Sequence, residues 1–162
     1  MKKIITLLTI SSLLFTSSFI YADNKDELKN LFKKSLIIIG TVALVMTLLA
    51  EILSGVLASI FVSYNKELLE MTSLAIRLFS ISFIISGFNI FGSAFFTALN
   101  NGLISAIISF LRTLVFQVIM VFVLPLILGI NGIWLAVVAA EFLALIVTLI
   151  SIILNRNKYQ YI

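Results

Sequence analysis

The stretch 74–154 constrains the fold most, because it consists of three apolar blocks separated by two very short polar breaks, 100–102 and 129–132. Each block is roughly 22 to 27 residues long, and about 20 residues of helix cross the hydrocarbon core of a bilayer. A soluble helix would carry regularly spaced charges on its water-facing side. The charged residues within the blocks are Arg77, Arg112 and Glu141. The pattern predicts three consecutive membrane-spanning helices.

The composition places the whole chain in the same class. Hydrophobic residues make up 62% of the chain and charged residues 11%, whereas about a quarter of a soluble domain is charged. A membrane β-barrel is disfavoured, because its strands are segments of roughly ten residues with alternating polarity. The net charge of +4 comes from basic residues that mostly flank apolar segments, where they orient helices. We therefore expect an all-α membrane protein whose partner is the lipid bilayer, not nucleic acid.

The absence of cysteine and histidine from the sequence excludes several kinds of chemistry. Without cysteine there is no disulfide framework and no thiol nucleophile. Without histidine, a typical zinc site or a histidine general base is also excluded. We expect no catalytic residues, no metal and no bound cofactor, and hence no enzyme.

The first segment, 1–22, resembles a secretory signal but is close to membrane-spanning length. Lys2 and Lys3 precede an apolar run at 4–20, and Ala22 is a small residue before a possible cleavage point. Ile20 is larger than such a cleavage site prefers. Cleaved signal and retained first helix both remain open.

The segment 23–34 is the most polar part of the chain and has an amphipathic period. It is predicted to be a basic linker helix that lies at the membrane interface and runs into the next span. It either docks on anionic lipid or simply fixes the topology as a basic flank.

Four membrane helices are predicted after this linker, at about 35–62, 68–99, 102–128 and 132–154, followed by a basic tail at 155–162. Four helices place the linker and the tail on the same side, and the positive-inside rule makes that side cytoplasmic. Lys2 and Lys3 give the opposite orientation if the first segment also crosses. The chain is therefore expected to cross a plasma membrane several times, with both flanks in the cytoplasm.

Polar residues recur along one face of the second of these helices, so they face either neighbouring helices or a wet cavity. This stripe consists of Ser82, Ser86, Asn89, Ser93 and Thr97. On the third helix, Ser105, Ser109 and Arg112 share a face, with Gln117 beside it. The last helix carries small residues at four-residue spacing, which allow close helix packing in lipid: Gly132, Ala136, Ala140, Ala144 and Thr148.

Depth along the helices predicts two ion pairs. Arg112 and Glu141 each lie about ten residues after a polar break, which is about 15 Å at 1.5 Å per residue and close to the bilayer midplane. Glu51 and Arg77 lie nearer the opposite surface and form a weaker second pair. An isolated charge in a bilayer is costly and is usually paired or functional. The pairs therefore either hold helices together or take part directly in solute or ion movement.

Several short motifs occur in a recognisable order. They are AIRLFS around Arg77, GFN at 87–89, FTAL at 96–99, Leu111-Arg112 followed by Leu124-Pro125, and GIWLA at 132–136 with Ala140-Glu141. With them the segment 87–142 resembles the closing helices of multidrug and toxic compound extrusion (MATE) transporters, in the style of their drug-export members. The segment 21–36 is similar to the linker that leads into the ninth helix of these transporters.

The resemblance implies a partial second lobe, because MATE transporters have twelve helices in two six-helix lobes and 21–154 matches helices nine to twelve. It implies an ion-coupled antiporter of cationic or amphipathic compounds, driven by a proton or sodium gradient. It also implies a truncated version that does not transport alone and needs a missing lobe or a second copy. The other function left open is a small helical membrane protein with a structural or interaction role.

Overall fold

The computed structural model describes residues 25–162, and this part of the chain is helical without any strand. The elements are α1 (Lys25–Val62), α2 (Lys66–Ala98), α3 (Gly102–Phe110), a π-helical segment (Leu111–Phe116), α4 (Gln117–Leu128) and α5 (Ile130–Tyr159). Four stretches are long and apolar enough to cross a membrane, with α3, the π-helical segment and α4 forming one of them. The predicted all-α membrane fold with four such helices is confirmed. The signal-like segment 1–22 lies outside the described residues.

The basic linker segment belongs to α1, which begins at Lys25 and continues without a break to Val62. Its 38 residues correspond to about 57 Å of helix, well beyond the roughly 30 Å hydrocarbon core. In the first turns Leu28 and Phe32 are buried while the lysines are exposed. The apolar face of this amphipathic segment therefore packs against the rest of the protein.

Asparagines set the starts of two helices. The side chain of Asn65 accepts a hydrogen bond from the Leu68 amide at 3.1 Å, and the side chain of Asn101 accepts one from the Ile104 amide. Asparagine is a strong helix N-cap because its oxygen satisfies an amide that has no partner within the helix. Asn100, with φ of 57°, occupies the left-handed conformation between α2 and α3. Asparagine tolerates this region better than most residues, which explains a turn of only three residues.

The bundle is organised around α2, which packs against α1 on one side and against α3 and α5 on the other. The five small residues predicted to form a seam on α5, from Gly132 to Thr148, are all buried. A Cβ added at Gly92 of α2 would collide with Cγ2 of Thr148. Since α2 and α5 approach this closely, their contact depends on small side chains, as is usual for helices that pack in lipid.

The turn between α4 and α5 is very tight. Gly129, with φ of 60° and ψ of −140°, donates its amide to the Pro125 carbonyl at 3.0 Å. An L side chain would be strained in that conformation. A Cβ at Gly132 would collide with the backbone carbonyl of Leu124. Both glycines are therefore needed for α5 to fold back directly against α4.

The C-terminal residues are not a free tail. Gln160 has φ of 56°, which turns the chain back, and Tyr161 is 1% exposed. Its ring centroid lies 5.3 Å from that of Phe32 on α1 and 5.0 Å from that of Phe95 on α2. The start of α1 and the ends of α2 and α5 thus meet at one end of the bundle, where the sequence places both basic flanks.

Large apolar side chains cover most of the outer surface. Exposed fractions reach 86% for Leu126, 76% for Ile52 and 75% for Phe61. Soluble monomers rarely expose contiguous apolar surface on this scale. The exposed residues are those that face lipid in a multi-pass membrane protein.

Candidate functional site

Three polar side chains from three parts of the chain meet in the interior of the bundle: Asn89 on α2, Arg112 in the π-helical segment and Glu141 on α5. Nε of Arg112 donates to Oε1 and Oε2 of Glu141 at 2.9 and 3.0 Å. Nη2 of Arg112 lies 2.8 Å from Oε1. Nδ2 of Asn89 donates to Oε2 and to the backbone carbonyl of Glu141, both at 2.8 Å. We call this group the polar triad.

The side chains of the triad are largely buried within the bundle. The side chain of Glu141 is 10% exposed and that of Arg112 is 21% exposed, while Asn89 is fully buried. Burying a charge is costly unless it is paired and hydrogen-bonded. The fork of Arg112 and the amide of Asn89 together satisfy both carboxylate oxygens of Glu141, which explains how these charges are accommodated among apolar helices.

The position of Arg112 depends on a local change of helix type. Residues Leu111–Phe116 form a π-helix, and Arg112 is its second residue. A π-helical turn contains an extra residue relative to an α-helical turn and therefore shifts the directions of the side chains that follow; such turns are frequent at functional sites. The sequence carries no local signal for it, since LRTLVF is compatible with an ordinary α-helix.

One acceptor in the triad has no hydrogen-bond partner among residues 25–162. Oδ1 of Asn89 is buried and makes no hydrogen bond to the described residues, and the same holds for Oγ1 of Thr148. A buried acceptor without a partner loses its hydration without compensation, at about 1–3 kcal/mol. Such unpaired groups are uncommon and call for an explanation, such as a functional role.

Hydroxyl groups continue from the triad towards the α2–α3 turn. Oγ of Ser93 lies 2.9 Å from Oγ of Ser105 and 2.7 Å from Oγ of Ser109. Oγ1 of Thr97 lies 2.7 Å from Oγ of Ser105. This hydroxyl cluster joins α2 to α3 by hydrogen bonds, the type of contact that holds membrane helices together.

The predicted ion pair between Glu51 and Arg77 is wrong, because within residues 25–162 the pair Arg112–Glu141 is the only one closer than 4.0 Å. Instead, Nε of Arg77 donates to Oγ of Ser54 at 2.8 Å. Oε1 of Glu51 accepts from Oγ of Ser80 at 2.9 Å. Each charge thus bonds to a serine of the neighbouring helix instead of to the other charge. They form a second polar cluster at the α1–α2 contact.

The remaining predicted residues lie apart from the triad. Ser82 is buried, Ser86 is half-buried and Gln117 is exposed at the start of α4. Ser86 lines an apolar groove of about 510 Å³ between α1 and α2. Of the predicted cavity-facing stripe, Asn89, Ser93 and Thr97 therefore bond to neighbouring helices, and Ser86 lines a groove.

The chemistry available at the triad is the exchange of hydrogen bonds and charge. In the described part of the chain, no group of three or more Asp, Glu, His or Cys side chains could hold a metal ion. A carboxylate shared by an arginine and an amide is an arrangement that can hold helices in register. It can also rearrange if one partner leaves. Ionisable residues inside a membrane bundle frequently mark solute or ion pathways.

The sequence profile of one protein family, described as MatE, matches residues 4–123, which is about three quarters of the 162 residues. The chain belongs to the MatE family. This makes it a member of a family of membrane transporters, in agreement with the four apolar helices.

The MatE match includes Asn89 and Arg112 and ends before Glu141. It starts within the segment 1–22, so it extends further towards the N-terminus than the resemblance seen in the motifs. No curated protein sequence and no solved structure gives a significant match.

Sequence reasoning missed two features of this region. One is the π-helical segment under Arg112. The other is the aromatic cluster around Tyr161, which includes Phe32, Phe91 and Phe95. The four-residue spacing of Phe91 and Phe95 shows a shared face, but no sequence pattern shows that the chain end folds back onto it.

Proposed function

We propose that the chain is part of a MATE-type secondary active exporter that moves cationic or amphipathic drug-like compounds in exchange for protons or sodium ions. The observation that carries this proposal is the MatE match over residues 4–123. The motif pattern of the drug-export members supports the choice of substrate class. The buried polar triad supports it further, since buried ionisable groups in membrane helices are expensive to keep.

The role that we propose for the triad is to join three helices into a unit that moves as a whole. Alternating access in secondary transporters is largely a rigid-body movement of one bundle against another. Glu141 is bonded to both α2 and the π-helical segment. A shared carboxylate of this kind keeps α2, α5 and the third span in register during such a movement.

We further propose that this 162-residue chain does not export by itself. α1 packs mainly against α2, and the grooves between these helices are lined almost entirely by apolar side chains. The polar groups of the triad bond to one another across helix contacts, and so do those of the hydroxyl cluster. A path for an organic cation then needs further helices, from a missing lobe or from a second copy.

The alternative function is a small helical membrane protein with a structural or interaction role. The hydrogen bonds between helices favour this alternative, because Asn89, Ser93 and Thr97 of the predicted polar stripe bond to neighbouring helices. It requires no coupling ion and no substrate.

Reconstitution distinguishes the two functions. The purified chain is placed in liposomes that contain ethidium, and efflux is followed after a proton or sodium gradient is imposed. We expect no gradient-dependent efflux from the chain alone. We expect efflux when a partner that supplies the first eight helices of a MatE-family exporter is added, with that partner alone as the matched control. Efflux from the chain alone would overturn its dependence on a partner. No efflux in any combination would favour the alternative function.

The location that we propose is the plasma membrane of a bacterium, with the basic flanks in the cytoplasm. Both flanks meet at one end of the bundle, as an even number of spans requires, and positive flanks favour the cytoplasmic side. The MatE match begins at residue 4, which favours retention of the segment 1–22 in the mature protein. The intact mass of the purified protein measures this directly.

A further inference from the structure

Basic residues are concentrated at one end of the bundle. We call this surface the basic end, and its six basic residues are Lys25, Lys29, Lys33, Lys34, Arg156 and Lys158. All six are exposed. Among the described residues, the acidic side chains beside them are Asp26 and Glu27, in the first turn of α1. At the other end, the loop and first turns of α2 carry one lysine, Lys66, and two glutamates.

The basic end lies at the level of lipid headgroups. Helix α1 is about 57 Å long, and a bilayer including its headgroup regions is about 40–45 Å thick. The apolar part of α1 starts after Lys34, so the turns that carry its four lysines project beyond the hydrocarbon core. Their charges therefore lie where phosphate groups of lipids are found.

Tyr161 brings the two basic segments together. Its ring packs against Phe32 at 5.3 Å, and its hydroxyl donates to the Ile152 carbonyl at 2.7 Å. Phe32 is adjacent to Lys33 in sequence, while Ile152 lies one turn before Arg156. The contacts of one buried side chain thus fix the start of α1 beside the end of α5.

The basic side chains are not neutralised by the described part of the protein. Among residues 25–162, none of the six forms an ion pair within 4.0 Å. Nζ of Lys158 lies 4.9 Å from the ring centroid of Tyr159, a cation–π contact that keeps the charge. In this part of the chain, six basic side chains outnumber the two acidic ones, which leaves a net positive surface.

We propose that the basic end binds the headgroups of anionic phospholipids, and that Tyr161 is the positioning residue of this surface. The lipid phosphates would contact α1 and the end of α5 together, so an anionic lipid would connect the two ends of the described chain. Clusters of four to eight basic residues next to a membrane helix are typical of such recognition. This interaction does not depend on whether the chain transports anything.

The test measures lipid selectivity of the full chain in phosphatidylcholine vesicles that contain a trace of spin-labelled phosphatidylglycerol or spin-labelled phosphatidylcholine. We expect phosphatidylglycerol to be preferred by the unmodified protein. In Lys29→Gln/Lys33→Gln and in Arg156→Gln/Lys158→Gln the preference falls towards equal association, by up to about fivefold for each removed charge. Lys66→Gln is the matched control and keeps the preference, because it removes an exposed lysine from the other end.

Two further variants distinguish the effect of where the basic residues lie from the effect of how many charges there are. Tyr161→Ala keeps all six basic residues but removes the ring that holds α1 beside α5, so it should reduce the preference. Tyr161→Phe keeps the ring and should retain most of it. Circular dichroism confirms that each variant remains helical. Raising the salt from 0.01 to 1 M shortens the screening length from about 30 to about 3 Å and should remove most of the preference.

Three results would overturn the proposal. The first is equal association of the two lipids with the unmodified protein. The second is a loss per removed charge that is the same in Lys66→Gln as in the variants of the basic end, which would mean that net charge alone matters. The third is displacement of phosphatidylglycerol by millimolar inorganic phosphate, which would identify a site for the free anion.

Discussion

Nε of Arg112 lies 2.9 Å from Oε1 of Glu141 and 3.0 Å from Oε2, across 29 residues of sequence. The two residues belong to consecutive spans that run in opposite directions, and each lies about ten residues from its own turn. The two side chains therefore lie at the same depth because of the lengths of their helices, and their opposite charges then allow them to pair. Asn89 completes it from α2, so Glu141 receives donors from two sides.

Removing one member of the ion pair should be much worse than removing both. Arg112→Leu or Glu141→Leu leaves a buried charge unpaired, which commonly costs about 3–5 kcal/mol. Arg112→Leu/Glu141→Leu should recover most of this loss, since two apolar side chains need no partner. Thermal unfolding in detergent of both single variants and the double variant gives the coupling energy. Arg156→Leu, which removes an exposed arginine, is the control. Additive losses would show that the pair contributes no coupling.

Asn89 should contribute to the stability of the protein through the hydrogen bonds of its amide donor and not through the volume of its side chain. In Asn89→Leu, Oε2 and the carbonyl of Glu141 lose the hydrogen bonds at 2.8 Å, and a hydrogen bond to a charged group contributes about 1.5–3 kcal/mol. Asn89→Gln keeps the donor on a longer side chain and should lose less stability. The midpoint of thermal unfolding of the two variants decides this. Equal losses would mean that packing, not the donor, explains the effect.

Helix number, the buried seam on α5 and the contact between Arg112 and Glu141 were predictable because they follow from periodicity and depth. The ion pair between Glu51 and Arg77 was predicted on the same basis and is absent. Equal depth does not determine the direction in which a side chain points around its helix, and here the two charges bond to Ser54 and Ser80 instead of to each other. The π-helical segment and the burial of Tyr161 depend on contacts between distant parts of the chain, which no local pattern contains.

The titration of Tyr161 should differ from that of the other three tyrosines of the chain. Burial, and secondarily the nearby Tyr159, raises the pKa of Tyr161 from 10.0 to about 12. The unfolded chain would release this proton near pH 10 while the folded chain retains it. Its contribution to stability is therefore complete below pH 10 and is lost as the pH rises towards 12. Tyrosinate absorbance should show one late-titrating group that disappears in Tyr161→Phe. A titration curve that is unchanged apart from its amplitude would contradict the burial of this hydroxyl.

The contact between α2 and α5 gives a test of the packing itself. In Gly92→Ala the new Cβ would collide with Cγ2 of Thr148, and overpacking of this kind typically costs about 1–3 kcal/mol. Adding Thr148→Ser removes the colliding methyl group and keeps the hydroxyl, so it should restore much of the stability. Gly55→Ala is the matched control, because a Cβ there meets nothing within 4 Å and alanine favours the helix over glycine by about 1 kcal/mol. If Gly92→Ala were as stable as Gly55→Ala in thermal unfolding, α2 and α5 would be further apart than described here. Since Asn89 lies one turn before Gly92, the same separation would also lengthen its hydrogen bonds to Glu141, and the triad could not then hold the two helices in register.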